Sequence, residues 1–119
     1  MDARIYPLDE VSQDNPVPHL LRRRITGDRI LFAEVHLEKG CHVALHNHEN
    51  EQIAYIVSGK VRWTLGAEGS PERREIVLEG GNVLHLPSHF PHGVDAIEDT
   101  LIIDLLSPPG EMGVDRQKS

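Results

Sequence analysis

The sequence predicts an all-β fold, an antiparallel sandwich or barrel. Three observations carry that expectation. Val, Ile and Leu cluster in short runs, Gly, Pro, Asn, Asp or Ser interrupts those runs at close intervals, and no segment keeps a helical apolar period over three turns. With 119 residues, 39% hydrophobic and 26% charged, the chain has the size and composition of one globular domain, residues 1–119, able to build a core.

The expected strands follow in order. Leu20–Ile25 comes after the break at Pro16 and Pro18, and Thr26-Gly27-Asp28 turns the chain into Arg29–Leu37. Glu38-Lys39-Gly40 leads to His42–His46, and Gln52–Val57 is joined to Lys60–Leu65 across Ser58-Gly59. Residues 66–71 form a longer turn before Arg74–Leu78, and Gly80-Gly81 precedes Asn82–Leu86. Gly93–Ala96 and Leu101–Leu106 complete the set, ended by Pro108-Pro109-Gly110. Beyond Gly110 the sequence is polar, and the expectation is a mobile tail.

Two segments are apolar on both faces, Ile53–Val57 and Leu101–Leu106 with only Asp104 interrupting. A sheet with one wet face should alternate. Either a second copy of the chain, giving a homodimer, or the N-terminal segment should therefore cover the outer face.

The formal net charge of −7 argues against nucleic acid or an anionic membrane as the main partner, while leaving room for a small-molecule substrate. Cys41 is the one cysteine, so no internal disulfide forms; with no signal-like apolar N-terminus and no run long enough to cross a bilayer, the expected location is cytoplasmic.

Chemistry concentrates in Gly40-x5-His46-x-His48-x3-Gln52-x6-Gly59 and, downstream, Gly81-x5-Pro87-x4-His92. In a strand, residues two apart point to one face, so His46 and His48 can converge on one ion. Gln52 opens the next strand, and His92 follows a loop stiffened by Pro87 and Pro91. The other histidines, His19, His36, His42, His85 and His89, read as surface or hydrogen-bonded residues.

These two segments resemble the paired motifs of the cupin superfamily over about residues 32–107. The motif glutamate is replaced by Gln52, a motif glycine by His89 and a motif asparagine by Ala96. The resemblance implies a double-stranded β-helix, the cupin jelly-roll barrel, holding a divalent metal on His46, His48, Gln52 and His92, and commonly a dimer. A narrower resemblance, carried by Glu51-Gln52-Ile53, Tyr55–Gly59, Leu101–Asp104 and Ser107-Pro108, is to the pectin-degradation (KdgF-like) cupins. These also use glutamine and open unsaturated uronates to linear keto acids. They carry an aromatic residue before the Ser-Pro and an arginine after it, where this chain has Leu106 and Pro109-Gly110.

Three imidazoles and an amide suit Zn, Ni, Mn, Fe or Co. Being neutral, they leave the ion its full +2 charge, which strengthens it as a Lewis acid. That favours isomerisation, ring opening or elimination on a sugar-acid-like or other polar substrate. The alternatives are a quercetinase-like or thiol-oxidising dioxygenase, and a non-catalytic ligand-sensing or metal-binding module. Glu49 and Glu51 compete with Gln52 as ligands, but both should face outward if Gln52, Ala54 and Ile56 face in. Asp104, set among apolar residues, needs a partner or a raised pKa. It reads as a general acid or base, or as the structural partner of an arginine such as Arg62. Arg62 and Thr64 are expected to give their strand a polar face lining the pocket, with Trp63 in the core. Cys41 should pack on the side opposite His46, and Arg22–Arg24 reads as a solvated or salt-bridged edge.

Overall fold

The computed structural model describes residues 2–117. Its strands in chain order are β1 Gln13–Asp14, β2 Leu20–Thr26, β3 Leu31–Leu37, β4 His42–His46, β5 Glu51–Ser58, β6 Lys60–Leu65, β7 Arg74–Glu79, β8 Val83–Leu86, β9 His92–Ala96 and β10 Thr100–Ser107. All pairings are antiparallel. Six strands form one sheet in the order β1-β2-β3-β10-β5-β8, and four form the other in the order β4-β9-β6-β7. The two sheets enclose the core as a jelly-roll β-barrel, and none of the described helices is long and apolar enough to cross a membrane.

Each expected strand is present. Residues 29–30 fall outside β3 because Gly27 N–H donates to Ile30 O and closes the turn there. Alternation then builds the core. Leu31, Ala33, Val35 and Leu37 of β3 point inward, and so do Ile102 and Leu106 of β10. Burying each such branched side chain contributes roughly 1.5–3 kcal/mol before the entropy of ordering it is counted. The β5–β6 turn depends on Gly59, at φ +99°, where a Cβ would overlap the side chain and backbone of Thr100.

Trp63 lies in the core as expected, but Arg62 and Thr64 do not line the cavity. Val61, Trp63 and Leu65 face the interior, whereas Arg62 is exposed and lies beside Glu75 on the neighbouring strand. Apolar residues take the inner face because a guanidinium buried there without partners would be costly.

The outer face of the six-stranded sheet stays open. Ile53, Tyr55 and Val83 are 40%, 41% and 61% exposed, and Ile5 of the N-terminal segment is itself 92% exposed, so that segment does not cover them.

Two expectations for the periphery are corrected. The stretch after Gly110 packs on the barrel: Gly113–Arg116 forms a short 3-10 helix, and Met112, Gly113 and Val114 are buried, while residues 118–119 lie outside the described residues. The salt-bridged reading of Arg22–Arg24 holds, and the solvated one is overturned for Arg22. Arg22 is 1% exposed, and all its guanidinium nitrogens donate to side chains. Nε and Nη2 reach Asp14 at 3.1 and 2.9 Å, while Nη1 and Nη2 reach Asp115 at 3.1 and 2.7 Å. A buried guanidinium needs such partners, and here the partners tie β1 and the C-terminal turn to β2. Arg23 and Arg24 form ion pairs with Glu34 and Asp14.

The Arg22 hydrogen bonds hold the Asp14 carboxyl below its ordinary value of 3.8. For Asp115, burial pushes upward, but hydrogen bonds from Arg22 and the Met112 N–H outweigh it, and the pKa is again lowered. A depressed carboxylate pKa contributes stability that is fully present above the unfolded value and lost as pH falls through the folded value. Asp115→Asn should therefore melt below wild type at neutral pH, with the gap closing as pH falls below 3.8. A gap that persists in acid would assign the difference to packing rather than charge.

Candidate metal centre

The site lies between the sheets, and each contributes part of it. His46 ends β4 and stands directly across the ladder from His92, the first residue of β9. The register between these strands slips by one residue, since three steps on β4 from Val43 to His46 match two on β9 from Val94 to His92. Without that extra residue His46 would face away from buried Val43. With it, Cys41 and Val43 pack inward and His46 still turns toward the interior, so Cys41 shares the inner side rather than opposing His46. The Cys41 thiol, raised to about 11 chiefly by burial, packs in the core and stands outside the described cluster of metal-binding donors.

His48 lies just beyond β4 rather than within it, in the loop toward β5. Gln52 projects inward from β5 with Ala54 and Ile56, as its parity required, while Glu51 points out to pair with His85 at 2.6 Å. Glu49 is exposed.

The imidazoles of His46, His48 and His92 present nitrogens within 4.8 Å of one another, an arrangement that could hold a metal ion. Their orientation is fixed from behind. Each Nδ1 faces a backbone carbonyl, Ala44 O at 2.7 Å, Asn50 O at 2.9 Å and Phe90 O at 2.8 Å respectively. Nδ1 must donate in each case, which leaves Nε2 as the lone-pair nitrogen. His92 Nε2 is buried without a partner among the described residues. His48 Nε2 lies 3.0 Å from Gln52 Oε1, and Gln52 Nε2 donates to Asp104 Oδ1 at 2.8 Å, which turns the amide oxygen toward the histidine. Two acceptors thus face each other with no proton assigned between them. A cation removes that conflict and satisfies the orphaned His92 nitrogen as well, so the donor set fits a divalent metal.

The electrostatics agree. Burial lowers the pKa of His46, and burial with the nearby His46 ring lowers His92 to about 3, so both rings are neutral and ready to ligate. Asp104 is raised to about 7 by burial, against the opposing hydrogen bond from Gln52. Its side-chain partner is Gln52, not Arg62.

Sequence reasoning missed the roof of the site. Met112, Gly113 and Val114 line the cavity beside His46 and His92. Gly113 lies so close to the His46 ring that any side chain there would overlap it. Gln117 straps the segment to β4 through both Ala44 N and Ala44 O at 3.1 Å, and Arg116 donates to Asn47 O at 2.7 Å. The available signal was the small apolar cluster Met112-Gly113-Val114 inside a polar tail.

Comparison with known proteins gives a consistent picture. Residues 33–107 match the model of the cupin domain. No curated protein sequence matches the chain. An RmlC-like cupin from Shewanella frigidimarina superposes with a TM-score of 0.81 at 20% identity, over 92% of this chain and 95% of that one. KdgF from Halomonas sp. gives 0.79 at 27% identity, over 92% and 97%. The oxalate decarboxylase of Lactobacillus farciminis gives 0.81 at 14% identity; 94% of this chain is covered but only 35% of the decarboxylase.

Proposed function

Because the chain belongs to the cupin family, we propose that it is a metal-dependent enzyme acting on a small polar, sugar-acid-like substrate by isomerisation, ring opening or elimination. The observation that carries this reading is the pair of facing acceptors, His48 Nε2 and Gln52 Oε1, each locked in orientation by a hydrogen bond on its far side. His46, His48, His92 and Gln52 are the proposed ligands, and the metal is Zn, Ni, Mn, Fe or Co. A divalent ion bound by four neutral donors would keep its +2 charge and polarise a substrate oxygen as a Lewis acid.

The remaining work falls to the chain itself. Gln52 links the metal position to Asp104, so a proton held on Asp104 lies one side chain from the reacting centre. With its pKa raised to about 7, Asp104 exists in both protonation states near neutral pH, as a group that gives and takes a proton must. Trp63 and Val94 give the cavity dry walls, which strengthen every charge interaction inside. KdgF at 27% identity over nearly the whole chain supports the sugar-acid class.

We also propose that a second copy covers the open face at Ile53, Tyr55 and Val83, that residues 1–119 act as one domain, and that the protein works in the cytoplasm. The test is elemental analysis and sedimentation of the purified protein, followed by incubation with unsaturated uronates. One transition metal per chain, a dimer and loss of the substrate's double-bond absorbance are expected. A reconstituted protein that binds no transition metal would overturn the reading, and a monomer would remove the dimer.

A further inference from the structure

The cavity beside the metal position has a volume of about 50 Å³. That is room for a few water molecules, whereas pockets for small organic ligands span about 300–1,000 Å³. The protein's own C-terminal turn closes part of this cavity, with Met112, Gly113 and Val114 in its lining.

What holds the turn in place is a carboxylate on an arginine. Asp115 grips Arg22 with both oxygens, at 2.7 and 3.1 Å, and Arg22 Nη1 also reaches Met112 Sδ at 3.5 Å. Arg22 lines the same cavity as His46, His92, Gln52 and Asp104, and among the described residues it is the one Arg or Lys that does so. One donor in that lining is unused: Trp63 Nε1 is buried with no hydrogen-bond partner among the described residues. A buried donor without an acceptor is costly unless something else occupies the site in the working protein.

We infer that the turn Met112–Arg116 is a displaceable plug, and that the ligand replacing it is a small carboxylate that takes Arg22 over from Asp115. The geometry favours exchange over simple opening. If the turn left alone, the buried guanidinium would lose half its charged partners, a large penalty. An incoming carboxylate restores the fork and lets the apolar turn move out. Arg22 is then the anchor that selects acids over their neutral analogues, placed on β2, on the opposite side of β3 from β10. Asp14 keeps the guanidinium oriented throughout, through Nε at 3.1 Å and Nη2 at 2.9 Å.

This inference rests on the cavity being the reaction site, but its test does not depend on turnover. The plug is tested by the rate at which the neutral chelator 1,10-phenanthroline strips metal from the loaded protein. Asp115→Asn and a chain ended after Gly110 should each lose metal about tenfold faster than wild type; unchanged rates in both would overturn the plug. The anchor is tested with acetate against acetamide, probes small enough to fit without shape matching, followed through the emission of Trp63, the sole tryptophan. Asp115→Asn should bind acetate about tenfold tighter than wild type, with no gain for acetamide. The double variant Arg22→Met with Asp115→Asn, which leaves no unpaired guanidinium in the core, should lose the preference for acetate. If it keeps that preference, acetate is binding the metal alone and the anchor is refuted. A protein that passes both tests yet turns over no uronate would retain the plug and anchor while losing the proposed reaction.

Discussion

Replacing His48 with alanine is expected to remove the bound metal and, with it, activity. His48 is buried, its ring is fixed by Asn50 O, and its Nε2 faces Gln52 Oε1 at 3.0 Å. Altering a residue that merely orients a ligand costs about 10–100-fold in affinity, so losing a ligand should cost at least about 100-fold. The same substitution should behave differently without metal. In the apo protein it deletes one of two opposed acceptors, so beyond packing the fold should lose only the hydrogen bond from His48 Nδ1 to Asn50 O. The measurement is thermal: metal present at about 1,000 times its dissociation constant should stabilise wild type by about 4 kcal/mol, and the variant, binding at least about 100-fold more weakly, should gain no more than about 1.4 kcal/mol at that concentration. A His48→Ala protein that keeps full metal stoichiometry would refute the ligand assignment.

Asp104→Asn should slow turnover by about 10²–10⁴ while leaving the metal in place. The asparagine oxygen can still accept from Gln52 Nε2, so the amide that faces His48 keeps its orientation. What disappears is the transferable proton. The stability change should run the other way: burial resists ionisation of Asp104, raising its pKa to about 7, so above that pH a neutral isostere relieves the fold of a buried charge. An enzyme that is slower yet melts higher at about pH 8 is the signature of a proton carrier held at a cost in stability. Activity within about tenfold of wild type would reduce Asp104 to a positioning group for Gln52. Asp104→Leu separates these roles further, since it frees the Gln52 amide to turn and should weaken metal binding by about 10–100-fold.

Much of this site could be read locally because its spacing rules are local. Alternation along β5 places Gln52 inward and Glu51 outward, and Pro91 marks the strand start that carries His92. The misreadings have a common origin. Arg62 and Thr64 looked like a pocket wall because polar residues suit a substrate, but which face of β6 turns inward is settled by the sheet packed against it. The relation of Cys41 to His46 was misread because one extra residue between Val43 and His46 resets the parity, and a bulge leaves no mark in composition. Arg22 looked like a surface charge because its partners, Asp14 and Asp115, are 8 and 93 residues away.

By itself the sequence determined the all-β class, the run of strands along the chain and the four side chains that converge between the sheets, since strand period and turn chemistry act over a few residues. Only the tertiary structure decided which carbonyls set the imidazole tautomers, that Asp104 answers to Gln52 rather than Arg62, and that the C-terminal turn roofs the cavity. Those outcomes depend on contacts between distant segments, where burial removes water and forces each polar group to find a partner the local sequence does not name.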